Sequence, residues 1–194
     1  MKIICMGDSI SYGFGLPDLS KRWSDLVSAR TGHVLINRGV SGDTTGGMLA
    51  RYQTQVFDQA PDAMVLLGGI NDISIIGQYH TAFANVISMF RQADLLSIPV
   101  ILGVPLPICP EELCPPVWEP DQNMARLAAL AEQYADLIRC YAADKGLPVA
   151  DFRTPFLLPD GRADRTLFQD GLHPTEEGHR RMADVLCQVL AERF

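Results

Sequence analysis

Residues 2–9 read Lys2-Ile3-Ile4-Cys5-Met6-Gly7-Asp8-Ser9, and this stretch decides the fold. Its apolar run does not alternate with polar residues. Both faces of the strand it predicts must therefore be covered, as in a parallel sheet. The run closes on Gly7-Asp8-Ser9-Ile10, a turn that carries polar side chains at the strand's end. With 2–6 as the first, four further short runs rich in Ile, Val and Leu predict strands at 34–37, 63–68, 100–104 and 149–151. Helix-like stretches fall at 19–30, 45–57, 81–96, 121–145 and 175–193. In the fourth of these, Met124, Leu127, Leu130, Ala131, Tyr134, Leu137, Ile138 and Tyr141 recur at helical spacing, which suits a helix laid on a sheet.

Five βα units with short links predict an open parallel sheet with helices on both faces, an α/β fold with three α/β/α layers. No repeat, linker or low-complexity tract divides the chain, so residues 1–194 read as a single domain. The one biased segment is 105–120, with Pro105, Pro107, Pro110, Pro115, Pro116 and Pro120. It cannot be helical, and it follows the fourth strand. Ligands of such sheets bind at the carboxyl ends of the strands, so this segment lies on the functional side.

Four of the segments that leave the strands on that side carry polar, glycine-flanked residues. The first delivers Gly7-Asp8-Ser9-Ile10 and the second leads into Gly39-Val40-Ser41-Gly42-Asp43-Thr44. The third ends in Gly68-Gly69-Ile70-Asn71-Asp72, and the segment beyond the fifth reaches Asp170-Gly171-Leu172-His173-Pro174. Four clusters therefore converge on one rim.

On these blocks the chain resembles the SGNH/GDSL hydrolase family (GDSL-like lipases, acylhydrolases and esterases). Gly7-Asp8-Ser9 matches the first block, with Ile10 where Leu is usual. Gly42 matches the second, Gly69-Ile70-Asn71-Asp72 fits the G-x-N-D of the third, and Asp170-Gly171-Leu172-His173 fits the D-x-x-H of the last. Four blocks in order, each after a predicted strand, are far more specific than any one alone. The resemblance implies a flavodoxin-like five-stranded parallel sheet, the SGNH hydrolase fold. It also implies a serine esterase or acylhydrolase that works through an acyl-enzyme intermediate without a cofactor or metal. The implied catalytic residues are Ser9, Asp170 and His173. The implied oxyanion donors are the backbone N–H groups of Ser9 and Gly42 and the side-chain amide of Asn71.

Chemistry supports the same roles. A serine hydroxyl is a poor nucleophile without a general base. A histidine imidazole, with an ordinary pKa of ~6.5, is largely neutral at pH 7 and makes His173 the candidate base. Asp170, three residues earlier, can accept the other ring N–H and stabilise the imidazolium. Gly42, lacking Cβ, lets its backbone approach a substrate closely. Taken singly, Ser9 reads by default as a helix N-cap and Asn71 as a turn residue closing its own Asx bond, while Asp170 and His173 read equally as the N-cap and first turn of the last helix. Asp8 and Asp72 are expected to brace loops through backbone hydrogen bonds. His179 is expected at the surface of the last helix, and His33 and His80 stand at element boundaries without a chemical partner in sequence.

Rival motifs fail on inspection. Ser11 stands where a G-x-S-x-G elbow needs its second Gly. Gly13-Phe14-Gly15 lacks a third Gly for dinucleotide binding, no phosphate loop occurs, and His173-Pro174-Thr175-Glu176-Glu177 has Glu where an inverzincin needs His. The substrate expected is a small acyl ester. A carbohydrate O-deacetylase, a thioesterase and a lysophospholipase stay open, as does a catalytically idle binding module. The segments 73–79 and 105–120 offer Ile75, Ile76, Tyr79, Leu106, Ile108, Leu113 and Trp118 as walls of a shallow site suited to short acyl chains.

Composition bounds the remaining classes. The 194 residues suffice for one core and are 47% hydrophobic and 20% charged, ordinary for a globular protein. With 23 acidic against 16 basic residues the net charge is −7, which argues against a nucleic-acid surface or an anionic-lipid dock. No run approaches the ~18 apolar residues of a membrane span. The N-terminal apolar run is too short for a signal peptide, so a cytoplasmic location is expected. Cys5, Cys109, Cys114, Cys140 and Cys187 form an odd set without C-x-x-C spacing and are expected as free, buried thiols, with Cys109 and Cys114 reduced.

Overall fold

The computed structural model describes residues 1–115 and 121–194. Trp118, with Pro116 and Pro120, lies outside the described residues. Five strands form, β1 (Lys2–Gly7), β2 (Val34–Gly39), β3 (Ala63–Leu67), β4 (Val100–Val104) and β5 (Val149–Asp151). All pairs are parallel, in the order β2-β1-β3-β4-β5. The helices are α1 (Ser9–Tyr12), α2 (Trp23–Thr31), α3 (Thr45–Ala50), α4 (Tyr52–Gln55), α5 (Ile70–Ile76), α6 (His80–Leu95), α7 (Met124–Lys145) and α8 (Glu176–Arg193).

Alternation along each strand divides the interior into two cores. Ile4, Met6, Met64 and Leu66 face one side, where they meet Met48, Tyr52, Met89 and Tyr134 from α3, α4, α6 and α7. Ile3, Cys5, Val65 and Leu67 face the other, against Trp23 and Val27 of α2 and Met182 and Leu186 of α8. Each such side chain contributes about 1.5–3 kcal/mol by leaving water, and both faces need it. That double burial explains the unbroken apolar run in β1. On α7 the helical stripe does what its spacing predicts: Leu127, Ala131, Tyr134 and Ile138 are buried. Asn123 caps its start by accepting from the Arg126 N–H, and Gly146 in the left-handed region ends it. Among the described residues no helix is long and apolar enough to cross a membrane.

Register places the site. Gly7 pairs with Gly39 on β2 and with Leu67 on β3, so three strands end at one level. Their outgoing loops therefore leave the sheet side by side. The first turn of α1 lies directly on the end of β2, where a Cβ on Gly39 would stand 2.2 Å from the Tyr12 nitrogen.

Several local expectations are corrected. The stretch 19–30 divides at Arg22 into a single 3₁₀ turn, Leu19–Lys21, and α2. The stretch 45–57 divides at Arg51 into α3 and α4, followed by a 3₁₀ turn. Most of 73–79 is not a loop but part of α5, and its Ile75 and Ile76 are 60% and 49% exposed. Leu106 and Ile108 are core residues. Of the five cysteines, all free, Cys5 and Cys109 are buried, Cys187 is half-buried, and Cys114 and Cys140 are exposed.

His179 is the largest correction. It is fully buried, not at the surface, because it sits on the face of α8 that packs on α2. Its Nδ1 accepts from the Trp23 N–H at 3.3 Å. Burial, reinforced by the Arg22 charge, pulls its pKa down to about 4. Above pH 6.5 the imidazole is neutral folded and unfolded; between 6.5 and 4 the unfolded chain takes the proton first. Its contribution to stability is therefore lost as pH falls through that window. The stability advantage of wild type over His179→Gln in urea unfolding is expected to shrink by on the order of 2 kcal/mol between pH 7 and 4.5. A pH-independent difference would contradict the buried neutral state.

Candidate active site

β1 ends in a turn whose Asp8 caps α1: its Oδ1 accepts the Ile10 N–H at 2.9 Å. Asp8, not Ser9, is thus the N-cap. Ser9 becomes the first residue of α1, and its hydroxyl is left for another partner. That partner is His173, whose Nε2 lies 3.0 Å from Ser9 Oγ. On the far side of the ring, Nδ1 lies 2.7 Å from Asp170 Oδ2. Asp170 Oδ1 accepts the backbone N–H groups of Leu172 and His173 at 3.1 and 2.8 Å. The network fixes the tautomer with the proton on Nδ1, leaving Nε2 to accept from the serine hydroxyl. Burial raises the Asp170 carboxyl, but the His173 N–H, the imidazole and the Leu172 N–H together outweigh it and hold it below its ordinary value.

The 169–174 loop that carries this pair is tied down independently of α8, which is capped by Thr175 instead of Asp170. The Cys109 N–H donates to Gly171 O at 2.9 Å, and the Gln169 N–H to His173 O at 2.8 Å. Gln169 Nε2 donates to Pro174 O and to Phe14 O. Phe14 lies against the imidazole, with ring centroids 4.5 Å apart. The Gly13-Phe14-Gly15 triplet, idle as a nucleotide motif, thus presents an aromatic face to His173.

Gly42 and Asn71 join the same rim. Gly42 has φ +77°, and a Cβ there would meet no protein atom within 4 Å. Glycine is required by the left-handed backbone and not by crowding. Asn71 does not close its own turn: its Nδ2 donates to Asp43 O at 2.7 Å, leaving one amide hydrogen over. Asp72 braces the start of α3 by accepting from Thr45 N at 2.9 Å and from Thr45 Oγ1 at 2.6 Å. Among the described residues, neither the Ser9 nor the Gly42 N–H donates to a protein acceptor. Sequence reading missed Arg51, which reaches both Asp43 and Gly7 O. An i to i+8 pairing across a helix start has no sequence signature.

This chain matches the GDSL-like lipase/acylhydrolase family over residues 5–181. It belongs to that family. Among its relatives, an arylesterase of Vibrio mimicus is 37% identical over 76 residues, which span 37% of this chain and 38% of that protein. Esterase TesA of Pseudomonas aeruginosa is 26% identical over 195 aligned positions, covering 97% of this chain and 87% of that protein. The lipase/acylhydrolase structure from Enterococcus faecalis superposes with a TM-score of 0.76 at 27% identity, over 99% of this chain and 96% of that one. Membership of the GDSL-like family makes the chain one of its hydrolases, in keeping with the esterase names of these relatives.

Asp8, next to Ser9, is displaced well above the ordinary carboxylate range. Burial pushes its pKa up to about 7, against the pull of the Ile10 N–H, and the charges of Asp43 and Asp72 push the same way. The folded state therefore keeps the proton longer than the unfolded chain does. Stability from this group is full below pH ~4 and is lost as pH rises toward 7. Asp8→Asn keeps the acceptor for Ile10 and removes the titration. Its Tm relative to wild type is expected to rise between pH 5 and pH 8. A relative Tm that falls over that interval would mean that Asp8 gains, not loses, by ionising.

Proposed function

We propose that the protein hydrolyses carboxylic esters of small acyl groups through a covalent acyl-Ser9 intermediate. The observation that carries this reading is the unbroken hydrogen-bonded relay from Ser9 Oγ through His173 to Asp170. In the first half-reaction Ser9 Oγ attacks the ester carbonyl while His173 Nε2 takes the hydroxyl proton. The carbonyl π pair moves to oxygen, and the resulting oxyanion is met by the N–H groups of Ser9 and Gly42 and the remaining amide hydrogen of Asn71. Asp170 stabilises the imidazolium and holds its orientation. Collapse of the tetrahedral species breaks the bond to the alkoxy oxygen, which leaves with the proton from Nε2. Water then attacks the acyl-enzyme with His173 again as base, releasing the acid and restoring Ser9. The esterase names of the two curated relatives agree with this chemistry. A phosphonofluoridate is expected to label Ser9, and Ser9→Ala to lose both labelling and turnover. Full activity in the alanine variant would overturn the reading.

The proposed preference for short acyl groups is supported by what borders the relay. The apolar cavity lined by the chain neighbours of Ser9, Asn71 and His173 (Asp8, Ile10, Ile70 and Leu172) together with Leu67, Gly68, Pro105 and Leu106 has a volume of only ≈ 10 Å³. That is about the room one water needs. Leu106 and Ile108 are largely committed to the core, and Ile75 and Ile76 are exposed. Ile108 also borders a groove of ≈ 650 Å³, and Ile75 and Ile76 one of ≈ 270 Å³, but neither groove shares a lining residue with this cavity. On p-nitrophenyl esters kcat/KM is expected to peak between acetate and hexanoate. A maximum at decanoate or longer would sink the shallow-site reading while leaving the relay untouched.

A further inference from the structure

The three N–H donors assigned to the oxyanion come from three separate segments: the end of β1, the 40–44 loop and the start of α5. The last ladder pair between β1 and β2 is Gly7 with Gly39, so the loop that carries Gly42 has already left the sheet. Something other than the sheet must hold these donors in register. We propose that Arg51 is the positioning residue that does so, a proposal that rests on the serine-hydrolase reading above.

Arg51 stands at the break between α3 and α4, with its side chain 15% exposed, beside Asp43, whose side chain is 11% exposed. Its Nε and Nη2 both lie 2.8 Å from Asp43 Oδ2. Nη2 also donates to Gly7 O at 3.1 Å, and Nη1 donates to Gln55 Oε1. Gly7 O is the last carbonyl before Asp8-Ser9, and it also accepts the Val40 N–H at 3.1 Å. Asp43 immediately follows Gly42, and its own carbonyl accepts from Asn71 Nδ2 at 2.7 Å. One guanidinium thus fastens the Ser9 segment to the Gly42 segment, and through Asp43 the Gly42 segment to Asn71. The Asp43 carboxylate is confined as well: a Cβ on Gly47 would stand 1.9 Å from its Oδ1.

Arginine suits this task and lysine does not. The planar fork holds two acceptors in fixed directions at once, whereas an ammonium on a flexible stem is a point charge. Donors aimed at a developing oxyanion lose their effect when they are displaced, because the hydrogen bond is needed at about 2.7–3.1 Å in the transition state. Arg51 touches no reacting atom, so its removal acts on transition-state binding and leaves ground-state binding alone.

The decisive variant is Arg51→Lys, which keeps a cation beside Asp43 and so strands no buried carboxylate. On p-nitrophenyl acetate kcat is expected to fall on the order of 10–100-fold, with KM within about twofold of wild type. The inhibition constant of phenylboronic acid, which forms a tetrahedral adduct on a serine hydroxyl, is expected to rise by the same factor. A change that only loosened the fold would move KM and Tm instead. Should Arg51→Lys fail to fold, the charge-neutral pair Arg51→Gln with Asp43→Asn is measured in its place, with the same loss expected. A folded variant with kcat within twofold of wild type overturns the proposal, and so does a loss carried by KM. Ser9→Ala, assayed alongside, tells the two ideas apart. If it retains turnover the serine-hydrolase reading fails; if it is inactive while Arg51→Lys is unimpaired, only the role of Arg51 fails.

Discussion

A parallel strand buried on both faces has no freedom to slip, because a shift of one residue would carry every side chain to the opposite layer. In this molecule that constraint fixes β1 against β3, and the ladder of the edge strand β2 to β1 brings all three to one level, where Gly7, Gly39 and Leu67 share a row. Everything chemical is built on that row. Ser9 follows Gly7 by two residues, Asn71 follows Leu67 by four, and the 40–44 loop leaves directly from Gly39. The two apolar cores therefore do more than stabilise the fold. By locking the register they bring polar groups from distant parts of the chain to one height above the sheet.

Charge on this rim is arranged asymmetrically. Three carboxylates, Asp8, Asp43 and Asp72, lie near its base, and Asp8 and Asp72 are buried. Each is treated differently. Asp43 has a guanidinium against it, and Asp72 accepts two bonds from Thr45. Asp8 has its cap to α1 and, among the described residues, no cation against it, and burial pushes its pKa up. A buried charge needs a partner or a proton, and this site uses both solutions within a few residues. Asp170 differs again: half-exposed, it is held ionised by three hydrogen bonds that converge from Leu172 and His173.

What the sequence disclosed and what it hid divide along physical lines. The three central strands were legible because double burial demands unbroken apolar runs, and the edge strands β2 and β5, only partly buried, because short runs of Val, Leu and Ile precede their turns. The long helices were legible because a single buried face imposes a 3.6-residue spacing, as on α7. The helix α5 escaped notice because Ile70-Asn71-Asp72-Ile73 starts it directly from the strand, leaving no room for a polar cap; Gly69 turns the chain instead, at φ +118°. Ile75 and Ile76 do border a groove, but one that shares no lining residue with the cavity beside Ser9, because helix α5 carries them away from it. His179 resembled a surface residue because its neighbours Arg180 and Arg181 are polar, whereas its own position faces α2. The four strand-end blocks were recognisable as chemistry, yet Arg51 and Phe14 were not. Their partners lie across the fold, and nothing local marks such pairings.

The contact between Ser9 and His173 joins residues 164 positions apart, almost the whole length of the chain. Polypeptides are made from the N-terminus at about 5–20 residues per second. The serine therefore leaves the ribosome's catalytic centre roughly 10–30 s before the imidazole that would activate it has been polymerised. During that interval β1, β2 and β3 can pair and bury their faces, but the emerging chain carries an unarmed hydroxyl. On the acyl-Ser9 chemistry proposed above, a translation product that stops short of residue 173 carries the serine without its base and is expected to be inert.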